Sequence, residues 1–169
     1  FYNGIKPKNR LKIGVEHEKF ILNKNSHLPV SYDDKNGIKN ILEKLVTKNW
    51  KPLFDDNQQT IIALKKGKEA ITLEPGGQIE LSGAPLDNIH ETCEETNTHL
   101  KELKEIGNEF NFILLGMGVE PKLGIDDFPW MPKQRYGIMR KYMKKVGTLG
   151  HHMMKRTCTN QVNIDYSSE

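Results

Sequence analysis

Cysteine is scarce in this 169-residue chain: Cys93 and Cys158 are the only two, and neither lies in a Cys-x-x-Cys pair. That spacing excludes a zinc site built on paired thiolates, so both read as reduced, partly buried thiols. Long apolar runs are also missing. Nothing approaches the ~20 residues that a membrane-spanning helix needs, so no membrane partner is expected. No basic stretch followed by an apolar segment and a small-residue cleavage site opens the chain, which makes the cytoplasm the expected compartment. Charge of one sign is not in excess either. The formal net charge is +3, with acidic and basic residues interleaved as in KNILEKLVTKNWK and HLKELKEIGNEF. A nucleic-acid binder concentrates basic charge on one face, so no nucleic-acid partner is expected. Phosphate-loop chemistry of the GxxxxGK[ST] type is absent, and Gly147–Gly150 (GTLG) is too short to replace it. No Ser-His-Asp or Cys-His arrangement stands out as a nucleophilic centre.

What remains is a polar globular chain, 36% hydrophobic and 28% charged, long enough to bury one core. It begins at Phe1 and closes on Ser167-Ser168-Glu169, a pattern able to start a helix, so a part of a longer protein is expected. Alternation predicts a strand over Lys12 to Leu22. Apolar residues at 38, 41, 42, 45 and 46 predict a helix within Asn36 to Trp50. Gln58 to Leu64 and Glu69 to Leu73 read as a hairpin turning at Lys65-Lys66-Gly67-Lys68, followed by a strand over Gln78 to Leu81. A long helix is predicted from Leu86 to Phe110, with a stripe at 86, 89, 93, 96, 100, 103 and 106. A short strand over Phe112 to Val119 and a helix starting at Pro132 and running to Lys145 follow. Arg156 to Tyr166 alternates again, with Thr157, Thr159, Gln161, Asn163 and Asp165 on one face. Successive hairpins with helices between them point to an α+β fold built on a mainly antiparallel sheet.

The strand glutamates need a reason, because glutamate is depleted in strands and like charges on one face repel. Glu16 and Glu18 lie two apart and share a face, with His17 on the other. Glu74 and Glu80 flank Pro75-Gly76-Gly77, whose bend leaves their relative facing open. Edge pairing with the many lysines is one explanation. Hard oxygen ligands for Mg²⁺ or Mn²⁺ are the other, with the glycines turning carboxylates into one site. The basic run MPKQRYGIMRKYMKK reads either as a solvated helix or as an anion grip, with arginine suited to bidentate contact.

Four segments, GVEHEKF, ITLEPGGQIELSGAPL, MPKQRYGIMRKYM and TCTNQVNIDYSSE, occur in an order that resembles the plant and α-proteobacterial type of glutamate–cysteine ligase. The resemblance runs from about residue 11 to the end. It implies a curved antiparallel sheet flanked by helices, similar to the catalytic domain of glutamine synthetase and incomplete here. Residues 1–169 would be one truncated catalytic domain. It implies ATP-dependent joining of the glutamate γ-carboxylate to cysteine through γ-glutamyl phosphate, with Mg²⁺ bound by strand carboxylates and ATP as co-substrate. Carried over by motif, Glu16, Glu18, Glu74, Glu80 and Gln161 resemble metal ligands. Arg135 resembles the arginine that grips a substrate carboxylate, beside Tyr136, and Thr159 and Asn163 resemble substrate-side groups. Two alternatives are a related ligase using another amine, and a non-catalytic binding domain of the same fold.

Overall fold

The computed structural model describes residues 2–55 and 59–168. Among the described residues, seven strands and four α-helices follow in the order β1 (Ile13–Asn23), α1 (Ile38–Val46), β2 (Lys51–Phe54), β3 (Ile61–Lys66), β4 (Glu69–Leu73), β5 (Ile79–Ser82), α2 (Ile89–Phe110), β6 (Phe112–Leu115), α3 (Gln134–Val146), α4 (Gly150–Arg156) and β7 (Asn160–Ile164). Every strand pairing is antiparallel, and the sheet runs β2-β3-β4-β5-β1-β6. The long β1 is its axis. One part of it pairs with β5, while β7 covers residues 13 to 17 and β6 covers residues 20 to 23. This matches the α+β class expected from the hairpins.

One face of the sheet is apolar and covered by helices. Ile71, Leu73, Ile79, Leu81 and Leu64 are buried there with Ile38, Ile41, Leu42 and Leu45 of α1 and Leu103 and Ile106 of α2. The α1 set has the i, i+3, i+4, i+7 spacing of a stripe that meets a core. The Asn88 side chain caps α2 by accepting from the backbone N–H groups of His90 and Glu91. Asn111 ends α2 in the left-handed region at φ 62°. The buried stripe of α2 is Thr92, His99, Leu103, Ile106 and Gly107. The predicted Ile89 and Cys93 are exposed, because Leu103 and Ile106 set the helix rotation, and a four-residue step back from Leu103 or a seven-residue step back from Ile106 reaches His99 rather than Leu100.

Other boundaries also shift. The predicted strand to Val119 stops at Leu115, before Gly116 and Gly118. The helix predicted from Pro132 starts at Gln134. β2 and α4 were not predicted at all. Gln58, the predicted start of β3, lies outside the described residues. β7 is exposed along its whole length. Val162 and Ile164 lie on the helix-side face yet are 60% and 72% exposed, so the helical layer does not reach them. Among the described residues, no helix is long and apolar enough to cross a membrane.

Candidate active site

Register, rather than sequence order, assembles the polar face. Glu18 stands opposite Glu80, and Glu80 stands opposite Thr72. Glu16 stands opposite Ser82 on one side and Gln161 on the other. Residues directly opposite share a face in an antiparallel pair, so these side chains form one polar surface away from α1 and α2. The β4–β5 hairpin pairs Leu73 with Ile79, and the Glu74 N–H donates to the Gln78 carbonyl at 2.9 Å. Glu74 has the parity of Thr72, so the Pro-Gly-Gly turn returns the chain with Glu74 and Glu80 on the same face.

The carboxylates are oriented by short hydrogen bonds. Thr159 donates to Glu18 twice, from Oγ1 at 2.7 Å and from its N–H at 3.0 Å. Asn163 Nδ2 donates to Glu16 at 3.0 Å, and Gln161 Nε2 donates to Asn163 Oδ1 at 2.9 Å. Glu80 accepts from Ser82 Oγ at 2.6 Å and from Thr72 Oγ1 at 3.1 Å. Five of the sequence-predicted groups therefore form two connected sets across β1 and β7, and Glu80 and Glu74 form a third across β4 and β5.

The turn that brings Glu74 round is a junction. The Met131 N–H donates to the Pro75 carbonyl at 2.9 Å, and Gln78 Nε2 donates to the Thr157 carbonyl at 2.7 Å. Gly77 sits at φ +89°, in the region that glycine tolerates. The bend thus does two things: it sets the facing of Glu74, and it receives the segments that lead into α3 and β7.

A cavity of about 770 Å³ opens over the β4–β5 end of this face, lined by Thr72, Glu74, Glu80, Ser82, Lys133 and Arg135 among others. Burial, followed by the Glu80 and Glu18 carboxylates, pushes Glu74 up to about 7, and Glu74 shares a hydrogen bond with Glu80. Burial, followed by Arg135, pulls the Lys133 ammonium down to about 8. Tyr136 is in the core rather than at the cavity wall, 2% exposed, with its hydroxyl donating to the Leu73 carbonyl. Burial, then Glu74, pushes that phenol up to about 12, so it stays a donor at neutral pH. Lys133 was not singled out in the sequence; only the fold places it at the cavity, with its ammonium donating to the Leu73 carbonyl at 2.8 Å. Cys158 is buried and its thiol is pushed up to about 12, chiefly by burial, while Cys93 is exposed on α2.

The Glu74 shift has a sign that can be checked. The unfolded carboxyl ionises near 4.5 and the folded one near 7. Between those values the folded state binds more protons, so the stability from this group is complete below pH 4.5 and is lost as pH rises through 7. Urea midpoints measured from pH 5 to pH 7 are expected to fall more steeply for the wild type than for Glu74→Gln. Parallel slopes would contradict the assignment.

The family model described as glutamate-cysteine ligase family 2 (GCS2) matches residues 12–169. The chain belongs to that family. Its similarity to individual ligases agrees. It is 50% identical over 168 residues to glutamate–cysteine ligase A, chloroplastic, of Oryza sativa subsp. japonica, covering 99% of this chain and 33% of the relative. It is 49% identical over 168 residues to the chloroplastic glutamate–cysteine ligases of Brassica juncea and Arabidopsis thaliana, covering 32% and 31% of them. The chain thus spans about a third of the length of the ligases it matches. The cytoplasmic placement is corrected by this comparison, since these ligases are chloroplastic proteins.

Among the described residues, no group of three His, Cys, Asp or Glu side chains is already gathered as a metal cage. The donors nonetheless fit a hard divalent ion in kind, being carboxylate and amide oxygens on one face. Burial first, then the Glu80 and Glu18 carboxylates, raises Glu74 against the opposing pull of Lys133.

Proposed function

We propose that this chain supplies part of the catalytic face of an ATP-dependent ligase that joins the γ-carboxylate of glutamate to the amine of cysteine. The observation that carries the reading is the meeting of Glu74 and Glu80 with Lys133 and Arg135 around one cavity, on a face continued by Glu16, Glu18, Thr159, Gln161 and Asn163. Phosphoryl transfer needs positioning and charge neutralisation more than a protein nucleophile, and those are what this face offers.

In the first step, a γ-carboxylate oxygen attacks the γ-phosphorus of ATP, the bond to the β-phosphate oxygen breaks, and ADP leaves. In the second, the cysteine amine, as its free base, attacks the acyl carbon, the carbon–oxygen bond to phosphate breaks, and the departing phosphate takes the electron pair and the proton that the nitrogen gives up. Glu16, Glu18, Glu74, Glu80 and Gln161 would hold Mg²⁺, which neutralises phosphate charge when bound. Thr159 and Asn163 keep Glu18 and Glu16 oriented. Arg135, exposed at the cavity, grips a substrate carboxylate in bidentate fashion. The remaining two-thirds of a full-length ligase would complete the sheet and the nucleotide site.

The test is ADP release by the full reading frame with Mg²⁺, ATP and glutamate, with cysteine or a panel of other amines. Release that requires glutamate and is fastest with cysteine is expected, with none from the 169-residue chain alone. Fastest release with another amine would displace cysteine as the acceptor. No release from a folded, Mg²⁺-loaded protein would sink the ligase reading.

A further inference from the structure

The helix-covered side of the sheet holds a second cavity, of about 480 Å³, between α2 and the β3–β4 hairpin. Leu64 and Ile71 are buried on that side, and Lys66 and Glu69, which stand opposite each other, share their parity. The cavity therefore faces away from the carboxylate site. From α2 come Glu95, His99 and Glu102, four and three residues apart and so on one side of the helix. Trp50 lies with them, and Ala84 and Leu86 add an apolar stretch of wall.

Two buried acceptors here lack a donor. Glu95 accepts from the Ala84 N–H at 2.8 Å through Oε1, but its Oε2 is buried with no hydrogen-bond partner. His99 is 4% exposed, and its Nδ1 is likewise buried without a partner. Burial, followed by the charges of Lys19 and His17, pulls that imidazole down to about 4, so it is neutral near pH 7. With its proton on Nε2, Nδ1 is an acceptor. Buried polar atoms of this kind are normally satisfied, by protein or by something bound. Burial, followed by Glu95, raises the Glu69 carboxyl above its usual range. Glu102 is already engaged: it accepts from Trp50 Nε1 at 2.9 Å and pairs with Lys66 Nζ at 3.5 Å. Among the described residues, no ion pair reaches Glu69 or Glu95. The Lys66 ammonium shows what the place suits, since it lies 5.2 Å from the Trp50 ring centroid.

We propose that this cavity is a binding site for a small alkylammonium ligand, with the ammonium among Glu69, Glu95 and His99 and the alkyl chain along Trp50, Ala84 and Leu86. A primary ammonium brings one positive charge and three N–H donors, which match two carboxylates and an imidazole nitrogen. A quaternary ammonium has the charge but no donor, and an alcohol has a donor but no charge. The apolar wall suits an organic cation rather than a hydrated metal ion. The site does not depend on the ligase reading, because its carboxylates and imidazole lie across the sheet from the polar face.

Titration calorimetry of the full reading frame with butylamine tests this, at fixed ionic strength and beside 1-butanol and N,N,N-trimethylbutylammonium. Saturable butylamine binding at about the millimolar level or tighter is expected, with both analogues at least roughly tenfold weaker. Glu69→Gln and Glu95→Gln are expected to weaken butylamine by about tenfold or more, and His99→Phe by about fivefold. Each glutamine relieves a crowded carboxylate, and phenylalanine fills the buried ring position without an orphan nitrogen, so the three proteins should fold, as a thermal melt would show. All three should keep ADP release with glutamate and cysteine within about twofold. No saturable binding by the wild type overturns the proposal, and so does equal binding of either analogue. Undiminished binding by the folded glutamine variants places the amine elsewhere, as at the acceptor site of the ligase, and overturns it too. So does a loss of ADP release in step with the loss of butylamine. A full-length protein that binds butylamine in the expected pattern but releases no ADP sinks the ligase reading and leaves the cation site standing.

Discussion

Glu80→Gln in the full reading frame is expected to lower the rate of ADP release by about 100-fold to 1000-fold, the scale for loss of one preorganised charge-stabilising group. Glu80 is the hub of its set. Its two oxygens accept separately from Ser82 and Thr72, it stands opposite Glu18, and it shares a hydrogen bond with Glu74. Glutamine keeps the shape but removes the charge and turns one acceptor into a donor. The hydroxyl facing that new donor has to rotate, which is a small structural cost at a half-buried position. Removing one of two adjacent carboxylates also relieves Glu74, so stability should hold or rise while activity collapses. That separation is the diagnostic. Initial rates across a Mg²⁺ series, together with a thermal melt, would show it, and a rate loss below about threefold would place Glu80 outside the metal site.

The second large effect is structural. Gly76→Ala is expected to destabilise the fold by about 1–3 kcal/mol, the range for overpacking a tight site. A Cβ at Gly76 would lie 2.6 Å from the Lys155 carbonyl oxygen and 2.8 Å from both Lys155 Cα and Gln78 Oε1. Two of these neighbours are backbone atoms and cannot swing aside. For a chain of this size, each kcal/mol lowers the melting temperature by roughly 2–4 °C. Relief of the clash would push the end of α4 away from the hairpin, disturbing the path into β7 and the hydrogen bonds from Thr159 to Glu18. A melt unchanged from wild type would show that this junction is looser than its contacts indicate.

The parts of this architecture written locally were legible in sequence. Two-residue spacing put Glu16 and Glu18 on one face, and the polar row of β7 lies on that same face. The spacing of Ile38, Ile41, Leu42 and Leu45 marked α1. What required pairing partners was not legible. Nothing within GVEHEKF says that Glu16 will meet Gln161, because register is fixed by the facing strand and the core beneath it. β2 escaped notice because Leu53 and Phe54 are exposed and four residues make a weak pattern. α4 is seven residues long, with only Met154 and Lys155 buried. The stripe of α2 was misassigned because its N-terminal half buries Thr92 and His99, which no apolar pattern marks. The family resemblance singled out Arg135 and Tyr136, but only the fold shows that the tyrosine faces inward and that Lys133 belongs with the arginine.

The pairing of the first strand with the last has a consequence for how the protein is made. Glu16 and Asn163, which hydrogen-bond across β1 and β7, are 147 positions apart. Chains emerge from the ribosome N-terminus first, and contacts between distant positions form slowly. β5 can zip onto β1 once residue 82 is out. Ile13 to His17 must then wait with one edge bare until residues 160 to 164 arrive. During translation the polar face is therefore half built, and the bare edge of β1 is the place where a stray strand, or a chaperone, would find the nascent chain open.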